Sequence, residues 1–563
     1  MIKQCFKATF LILISFLWIG ELEAQYYLDG LRYAQQTFGG TARIQALGGA
    51  SVALGGDLSS GMINPAGLGF NRKSEISITP GLGFNNTNTT YSTFPNNEVG
   101  VTDDSRFNFN IASLGVVFSK ARNGISSNYG GSFSISVNRI NNFNNSISYS
   151  GINDSTQIFD ALLQEASGIP WSDFDEQGES GFYDYLGLAY YNYLIEPDLF
   201  ADPQNFNEYT TPIAPPRIFP SLQQENITTR GGQYQWDFSY GGNYDDRIYY
   251  GAGIGIQTLN YEREREYSET VDNPDSPFRS AVFFDQLNQS GLGVNLKAGI
   301  IIRATDRIRI GLNAVSPTWF RVVENFEENV FTEWSGNATV FRGFDSSGEP
   351  EFGRPEGNRP STIRYDEISF SLKTPGRISG GLAYFIGKNG FISADVEYIN
   401  YAGTTMNNPR FTIDNFDAGF DFEGDNQTIK DIYSNVFNFR TGAEFRKGIF
   451  RFRGGFALYG NPFGGNATGI QIKTVNTQQG NVTFFESTFN NVANRGFARY
   501  NYTGGLGLRK SNFYADFAVV VESYYSHSRP YSFANLEGGA FTNPTATVNQ
   551  SRVRALFSFG FFY

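Results

Sequence analysis

The stretch RVRALFSFGFFY (552–563), at the C-terminal end of the sequence, alternates between two kinds of side chain. Side chains of a β-strand point to opposite faces in turn, so one face of this segment would be wholly apolar. That face would carry Val553, Ala555, Phe557, Phe559, Phe561 and Tyr563. The pattern predicts a β-strand that ends on an aromatic residue. A soluble all-β domain could close its core with such a strand, so the pattern alone leaves the class of β protein open.

Further upstream, other segments repeat this alternation with charged residues on the second face. FISADVEYINY (391–401) places Asp395 and Glu397 opposite its apolar residues. IFRFRGGFAL (449–458) places two arginines there. A soluble β-sandwich turns its apolar faces inward and its charges outward. These strands also fit the reverse arrangement, in which the apolar face meets lipid and the charges line an interior.

The connections between the predicted strands separate these two classes. Several connections are short and polar: 243–247, 304–307, 387–390, 446–448 and 509–512. Between them lie long connections, at about 85–106, 144–230, 265–290, 322–362, 402–433, 460–497 and 525–550. Alternation of short turns with long loops is typical of an outer-membrane barrel, whose short turns face the periplasm and whose long loops face outward. The largest predicted extracellular loop is 144–230.

The strand count agrees with this class. The alternating segments predict a transmembrane, all-β barrel of about fourteen antiparallel strands in residues 74–563. Single-chain bacterial barrels have even strand numbers, so 363–386 is interpreted as one bent strand with Pro375 and Gly376 at a bulge. The aromatic C-terminal residue resembles the signal by which outer-membrane barrels are recognised for insertion.

The N-terminus predicts the compartment. Lys3 and Lys7 precede an apolar run, and cleavage after Ala24 would complete a secretory signal peptide over residues 1–24. The only cysteine, Cys5, lies within that peptide, so the mature chain would contain no thiol. We therefore expect a multi-pass barrel in the outer membrane of a Gram-negative bacterium.

Residues 25–73 precede the first predicted strand and are rich in glycine yet partly apolar. Within them, GGDLSSGMINPAGLGF (55–70) suits neither a helix nor a regular strand. A barrel of about fourteen strands encloses a lumen that its own side chains cannot fill. Irregular backbone at membrane depth is tolerated inside such a cavity. We therefore predict that residues 25–73 form a lumenal hatch.

The hatch sequence resembles a known family. Residues 30–69, with Asn64, Pro65, Ala66 and Gly67 as an Asn-Pro-Ala-Gly motif, are similar to the N-terminal hatch of the FadL-type outer-membrane transporters of long-chain fatty acids and other hydrophobic compounds. Segments 374–401 and 500–520 resemble late strand pairs of that family. The resemblance implies a hydrophobic ligand, such as a fatty acid or an aromatic compound, that is caught by outer loops and leaves sideways into the lipid of the outer membrane.

By the same analogy, Asn64–Gly67 would gate the hatch. The third strand, with Gly130, Gly131 and the polar run NRINNFNN (138–145), is the candidate for a lateral opening. We expect a monomer. A barrel that acts as a protein-binding scaffold in secretion or surface assembly is the alternative, and its lumen would be unplugged or filled by a partner.

Other chemistry finds little support in the sequence. The single histidine, His527, falls in a predicted loop, so we expect no catalytic residues and no enzyme. The acidic segment 413–426 lacks the spacing of a calcium loop, so solvated charge is favoured over a metal site, and no cofactor is expected. A net charge of −12 argues against nucleic acid as a partner. Inside the lumen, Glu444 is expected to pair with Arg440, Arg446, Arg451 or Arg453.

The large loop contains two segments with helical character. Residues 154–167 predict a short helix with apolar positions on one face, and 181–195 predict an aromatic helical segment. A groove between them for a hydrophobic ligand and simple packing of the loop on itself are both open.

Overall fold

The structure is a computed structural model of the 563-residue chain. It describes these residues: 26–93, 97–120, 128–174, 185–199, 207–212, 219–355, 361–408, 422–463, 471–477, 480–486, 497–531 and 543–563.

Fourteen strand positions form one closed antiparallel barrel in the described part of the chain. Ten strands are uninterrupted: β1 (Glu75–Thr93), β2 (Asn97–Ser119), β4 (Ser221–Tyr244), β5 (Ile248–Thr270), β6 (Phe278–Arg303), β10 (Asn435–Lys447), β11 (Phe450–Tyr459), β12 (Arg499–Arg509), β13 (Phe513–Ser528) and β14 (Thr545–Phe562). Each strand pairs with its neighbours along the chain, and β14 pairs with β1 to close the ring.

The other four strands are interrupted. They are β3 (Asn128–Asn142 and Asn145–Asn153), β7 (Ile308–Val315 and Thr318–Trp334), β8 (Ser361–Arg364, Ile368–Thr374 and Arg377–Phe385) and β9 (Gly390–Asn400 and Thr405–Asn407). Pro375 and Gly376 separate two pieces of β8 that continue one position in the wall, which confirms the single bent strand predicted there. Proline lacks the N–H that a ladder needs, so the strand breaks at that point.

Helices and small hairpins complete the fold. The helices are α1 (Tyr26–Ala34), α2 (Ala42–Ala46), α3 (Ser60–Ile63), α4 (Ile158–Ala166), α5 (Tyr185–Tyr191) and α6 (Glu423–Ile432), with 3₁₀ turns at Pro65–Phe70 and Tyr401–Gly403. Three hairpins lie outside the barrel ladder: Glu196–Pro197 with Tyr209–Thr210, Val340–Phe344 with Pro350–Gly353, and Gln471–Thr477 with Gly480–Glu486. Within the described ranges, no helix combines the length and apolarity needed to cross a bilayer.

The strands are longer than the sequence predicted. Segment 85–106, expected to be a long loop, belongs almost entirely to the paired strands β1 and β2. The largest loop spans 154–220 instead of 144–230, because both flanking strands extend into it. Beyond the apolar band the outward positions of β1 become Asn86 and Asn88. The alternation that marks a half-apolar strand is lost there, although backbone pairing continues.

The two faces of the wall have opposite chemistry. On β9, Ile392 and Val396 point outward and are 50% and 45% exposed, whereas Asp395 and Glu397 point inward and are buried. Phe559 and Phe561 of β14 likewise face outward. Exposed apolar rows with charges inside are the reverse of a soluble sandwich and match a barrel whose outer surface meets lipid.

The 154–220 loop packs on itself at the long-loop end of the barrel. Helices α4 and α5 are present close to their predicted positions, and both bury apolar residues in one cluster. This cluster joins Ile158, Phe159, Leu162, Leu188 and Phe174 to strand residues such as Tyr267 and Phe278. Among the described residues, the apolar faces of the two helices are therefore used for packing.

Candidate functional site

The N-terminal segment 26–73, called the hatch below, lies inside the barrel. Its three short helices and its 3₁₀ turn carry buried side chains, and residues as far apart as Tyr33, Leu47 and Leu68 are fully buried. Hatch residues contact strands around most of the ring, including β4, β5, β6, β11, β12 and β13. Segment 55–70, which was expected to suit neither a helix nor a strand, contains α3 and a 3₁₀ turn, and it finds its partners on the inner wall.

Asn64 connects the hatch to the wall. Its backbone is extended, between α3 and the following 3₁₀ turn, and its side-chain oxygen accepts from the Ala66 N–H at 3.2 Å. Its amide nitrogen donates to the carbonyl of Val52 at 2.8 Å and to that of Leu312, on β7, at 3.3 Å. A single asparagine side chain therefore joins two hatch segments and one barrel strand.

The next motif residues, Pro65 and Ala66, lie against the wall. Ala66 is fully buried beside Tyr249 and Ile301, and the Gly67 N–H bonds back to the Asn64 carbonyl at 2.9 Å. A side chain at Gly251 of β5 would overlap the backbone of Pro65. Hatch atoms approach the wall this closely at a set of inward positions, called the wall glycines: Gly241, Gly251, Gly299, Gly311, Gly381, Gly442, Gly455 and Gly505.

Charged wall residues also hold the hatch backbone. The Asp395 carboxylate accepts from the N–H groups of Ser51 and Val52 at 2.6 and 2.9 Å. The buried Lys297 ammonium pairs with Asp237 and donates to the Met62 carbonyl at 3.2 Å. Charge-assisted hydrogen bonds to backbone groups are stronger than neutral ones, so the hatch is fastened at several points of the ring.

The lumenal charge network agrees in part with the predicted pairing. Glu444 bonds to Arg453 and Arg446, each at 2.7 Å, and it also faces Arg43 of the hatch at 3.5 Å. Arg440 instead pairs with Glu397 at 2.5 Å, and Arg451 donates to backbone carbonyls. Burial of several charges in one network requires mutual pairing, and a hatch arginine takes part in it.

The wall is interrupted between β2 and β3. These strands pair only from Ser113 to Ser119 with Ser132 to Asn138. Above Asn138, β3 bulges and bends inward, and its second piece lies against the inner side of β1 and β2 while it pairs with β4. The first part of β2 thus has no ladder partner on this side among the described residues. We call this interruption the wall gap.

At the wall gap, β3 bonds to the hatch in place of β2. The Ile140 carbonyl accepts from the Thr37 N–H at 2.9 Å. The Asn141 side-chain amide donates to the carbonyls of Gln35 and Arg32 at 2.8 and 3.2 Å. The position of the hatch and the shape of the wall gap are therefore physically coupled.

Two cavities lie at the wall gap. The larger, of about 360 Å³, has a lining that includes Asn108, Arg139, Asn144 and Leu259. The smaller, between the hatch and the wall, has a volume of about 30 Å³, which is room for little more than one water molecule. It is lined by Thr37, Gln45, Gly81, Leu82, Asn108, Asn110, Ala112, Arg139, Asn141, Asn142, Arg554 and Leu556. Amide and guanidinium groups supply much of this lining, so side chains rather than a backbone ladder fill the space between β2 and the hatch here.

The sequence-predicted opening residues lie in two places. Gly130 and Gly131 stand at the short-turn end of β3, where the Lys120 N–H bonds to the Gly131 carbonyl and the β2–β3 ladder begins. Gly130 has a φ of +89°, which suits glycine. The polar run 138–145, named with them, is the part of β3 that lines the wall gap.

An apolar cluster around Tyr33 of the hatch, called the apolar compartment below, was missed by the sequence analysis. The Tyr33 ring of α1 packs edge-on against Phe143 and Tyr261 at 5.8 and 6.5 Å. Further inward residues complete this cluster: Leu259, Leu287, Phe320, Val322, Phe370, Leu372, Met406 and Phe422. The available signal was the change along β5 from inward glycine and glutamine to Leu259 and Tyr261.

Two remaining predictions concern isolated groups. Residues 413–421 of the acidic segment lie outside the described residues, and its end forms the start of α6, where Asp425 accepts from the Tyr27 N–H at 3.2 Å. His527 lies on β13 rather than in a loop, because that strand extends further than expected. Among the described residues, no group of three or more His, Cys, Asp or Glu side chains is arranged to hold a metal ion.

Comparisons with known proteins were made at three levels. No protein-family model matches the chain, and no curated protein matches it. Solved structures do match. A Pseudomonas aeruginosa FadL homologue is 11% identical, with a TM-score of 0.48, and the match covers 94% of this chain and 98% of that one. The Ralstonia pickettii toluene transporter TbuX is 13% identical, with a TM-score of 0.43, over 93% and 99%.

The Pseudomonas putida toluene transporter TodX is 9% identical, with a TM-score of 0.44, over 94% of this chain and 99% of that one.

Proposed function

We propose that this protein is an outer-membrane barrel that lets small hydrophobic molecules cross, and that they leave sideways through the wall gap under control of the hatch. The observation that carries the proposal is the coupling at β3. Where this strand loses its partner β2, Thr37 of the hatch bonds to Ile140 and Asn141 bonds to the hatch backbone. A movement of the hatch would then change the wall itself.

The apolar compartment could bind a ligand before it passes through the wall gap. Phe143 belongs both to this cluster and to the polar run of β3, so the compartment lies next to the wall gap. A hydrophobic ligand could replace the mutual contacts of Tyr33, Phe143 and Tyr261, since ligand pockets are built mostly of apolar and aromatic side chains. Entry of a ligand there would displace α1, which is part of the hatch.

The scaffold alternative is less well supported. It expects an unplugged lumen or one filled by a partner. Here the chain's own residues 26–73 occupy the bore, and they are fastened to it by Asp395, Lys297 and Asn64.

A reversible cross-link across the wall gap tests the proposal. Cysteines at Asn110 and Asn141, which line the same cavity, can be joined by a short bifunctional thiol reagent with a reducible link. We expect uptake of a hydrophobic fluorescent probe into cells to fall after cross-linking and to return after reduction.

The matched control places the cysteines at Ser113 and Asn138, which are direct partners in the intact part of the same ladder. Cross-linking there should leave uptake unchanged. Normal uptake through a locked wall gap would contradict the lateral route.

A further inference from the structure

A pair of outward-facing cations lies on β7 and β8. Arg321 and Lys373 are both exposed, while their neighbours Phe320 and Leu372 point into the barrel and are buried. In the ladder, Arg321 is opposite Ser371 and Lys373 is opposite Trp319. The two cations are therefore diagonal neighbours on the same face, which are separated by about 7–8 Å between Cα atoms.

Within the described ranges, the protein supplies no negative charge to this pair. Neither Arg321 nor Lys373 forms an ion pair or a side-chain hydrogen bond there. Their nearest outward neighbours in the ladder are uncharged: Leu292, Val294, Trp319, Ser371 and Thr405. Like charges close together on one sheet face are unfavourable unless an anion is shared between them.

Other outward arginines near the long-loop end are neutralised within the wall. Arg230 of β4 bonds to Glu262 and Glu264 of β5 at 3.1 and 3.2 Å. Arg364 of β8 bonds to Glu327 of β7 at 2.9 Å. The sequence thus provides partners for other cations on this surface and leaves Arg321 and Lys373 without one.

The height of the pair on the wall suggests what supplies the anion. Below it, β7 exposes Ile310 and Leu312 to the outside, and Trp319 marks the upper end of this apolar row. From Ile308 to Trp319, a strand with a rise of about 3.3 Å per residue and a tilt of about 40° climbs about 28 Å. That is close to the thickness of the hydrocarbon layer, so Arg321 stands about one row above it, among lipid headgroups.

We propose that Arg321 and Lys373, with the Ser371 hydroxyl between them and the Trp319 ring below, form a binding site for the phosphate group of a membrane lipid in the leaflet at the long-loop end. The guanidinium and the ammonium group would share the phosphate oxygens. The acyl chains would then lie along Trp319 and Leu312. This site is independent of the proposed transport route.

Binding of lipid A to the purified full-length protein in mild detergent tests this site. We expect the R321Q/K373Q variant to bind lipid A at least tenfold more weakly than the wild type in a mass-spectrometric titration. The matched control, R230Q, removes an outward arginine that already has partners and should bind as the wild type does. Hydrophobic-probe uptake should be unchanged in R321Q/K373Q, so a failure here is distinguishable from a failure of the transport proposal.

Two results would overturn the site. The first is equal lipid A binding by the wild type and by R321Q/K373Q. The second is displacement of lipid A by millimolar inorganic phosphate, which would show a site for free phosphate instead of lipid. If the double variant does not fold, as judged by heat-modifiable mobility on a gel, the single variants R321Q and K373Q replace it, and each should lose at least threefold in affinity.

Discussion

The bore and the wall gap are filled by different kinds of group. In the bore, hatch residues lie directly against wall glycines, and Asp395 and Lys297 hold the hatch backbone with charge-assisted hydrogen bonds. In the wall gap, the space beside the hatch is lined by side chains such as Asn108, Asn141 and Arg139. Side chains change rotamer far more readily than a backbone leaves a fitted surface. The wall gap is therefore the place where the barrel can widen with less disturbance.

The largest expected effect comes from removal of the bore closure. Deletion of residues 26–73 should leave a folded barrel that conducts ions, because the wall side chains of a barrel this wide cannot fill its lumen. Conductance in planar bilayers measures the effect, with the full-length protein as the control. A deletion variant that conducts no more than the full-length protein would show that the hatch does not close the bore.

A smaller change tests the fit between hatch and wall. In Gly381→Val, the new Cβ would lie 2.5 Å from Asp395 Oδ1, on the carboxylate that holds the hatch, and 2.8 Å from the Val52 Cβ of the hatch, and overpacking of this kind costs about 1–3 kcal/mol. We expect a lower midpoint in urea unfolding and a measurable leak of ions.

The control is Gly380→Val, one residue away on the outward face, where the nearest atom is a Leu312 methyl group at 3.7 Å. It should unfold as the wild type does. Equal losses at both positions would mean that the close approach of the hatch is not what makes Gly381 sensitive.

Asn64→Ala should have a more selective effect. It removes hydrogen bonds to Val52, Leu312 and Ala66, each worth about 0.5–1.5 kcal/mol, from the junction between hatch and β7. We expect assembly to continue and uptake of a hydrophobic probe to fall. Asn71→Ala is the control, since this hatch asparagine has a buried amide nitrogen without a partner. If both variants take up the probe normally, Asn64–Gly67 is a structural turn and not a gate.

The smallest effect is expected at the wall gap itself. Asn141→Ala removes the two bonds from β3 to the hatch backbone. A loss of about 1 kcal/mol would raise the open population about fivefold. A cysteine at Asn110 should then react about fivefold faster with a maleimide.

Asn144→Ala is the matched control for this measurement. Its side chain bonds to Gly231 and Asn142, both in the wall, and not to the hatch. Equal acceleration in both variants would attribute the effect to the strands alone and would remove the hatch from control of the gap.

The membrane-level part of the fold could be predicted because its strands follow a simple rule. Each membrane-level strand must place apolar residues outward, so alternation identified all fourteen positions and even the bent strand at Pro375. This rule applies only to strand residues that contact lipid. Above the apolar band, outward residues such as Asn86 and Asn88 meet water, and the long extensions of β1 and β2 were mistaken for a loop.

The candidate site was harder to predict, because it depends on contacts between distant segments. Asn64 stood out by its motif, and its bonds to Val52 and Leu312 give that motif a physical role. By contrast, Thr37 and Ile140 lie about a hundred positions apart, and the Ile140 carbonyl accepts from both the N–H and the hydroxyl of Thr37. No motif in the sequence indicates which distant carbonyl a threonine will reach.

By itself, the sequence determined the class of barrel and the strand order, because these depend on periodicity within single segments. It also predicted a hatch from the composition of residues 25–73. Only the tertiary structure decided where the wall is interrupted and what the hatch touches. Those features depend on which neighbour a strand finds when it bends, as β3 does when it leaves β2 for the hatch and β4. The wall glycines show the same division: each is an ordinary small residue in its own strand, and only the assembled ring brings them against one continuous segment of hatch backbone.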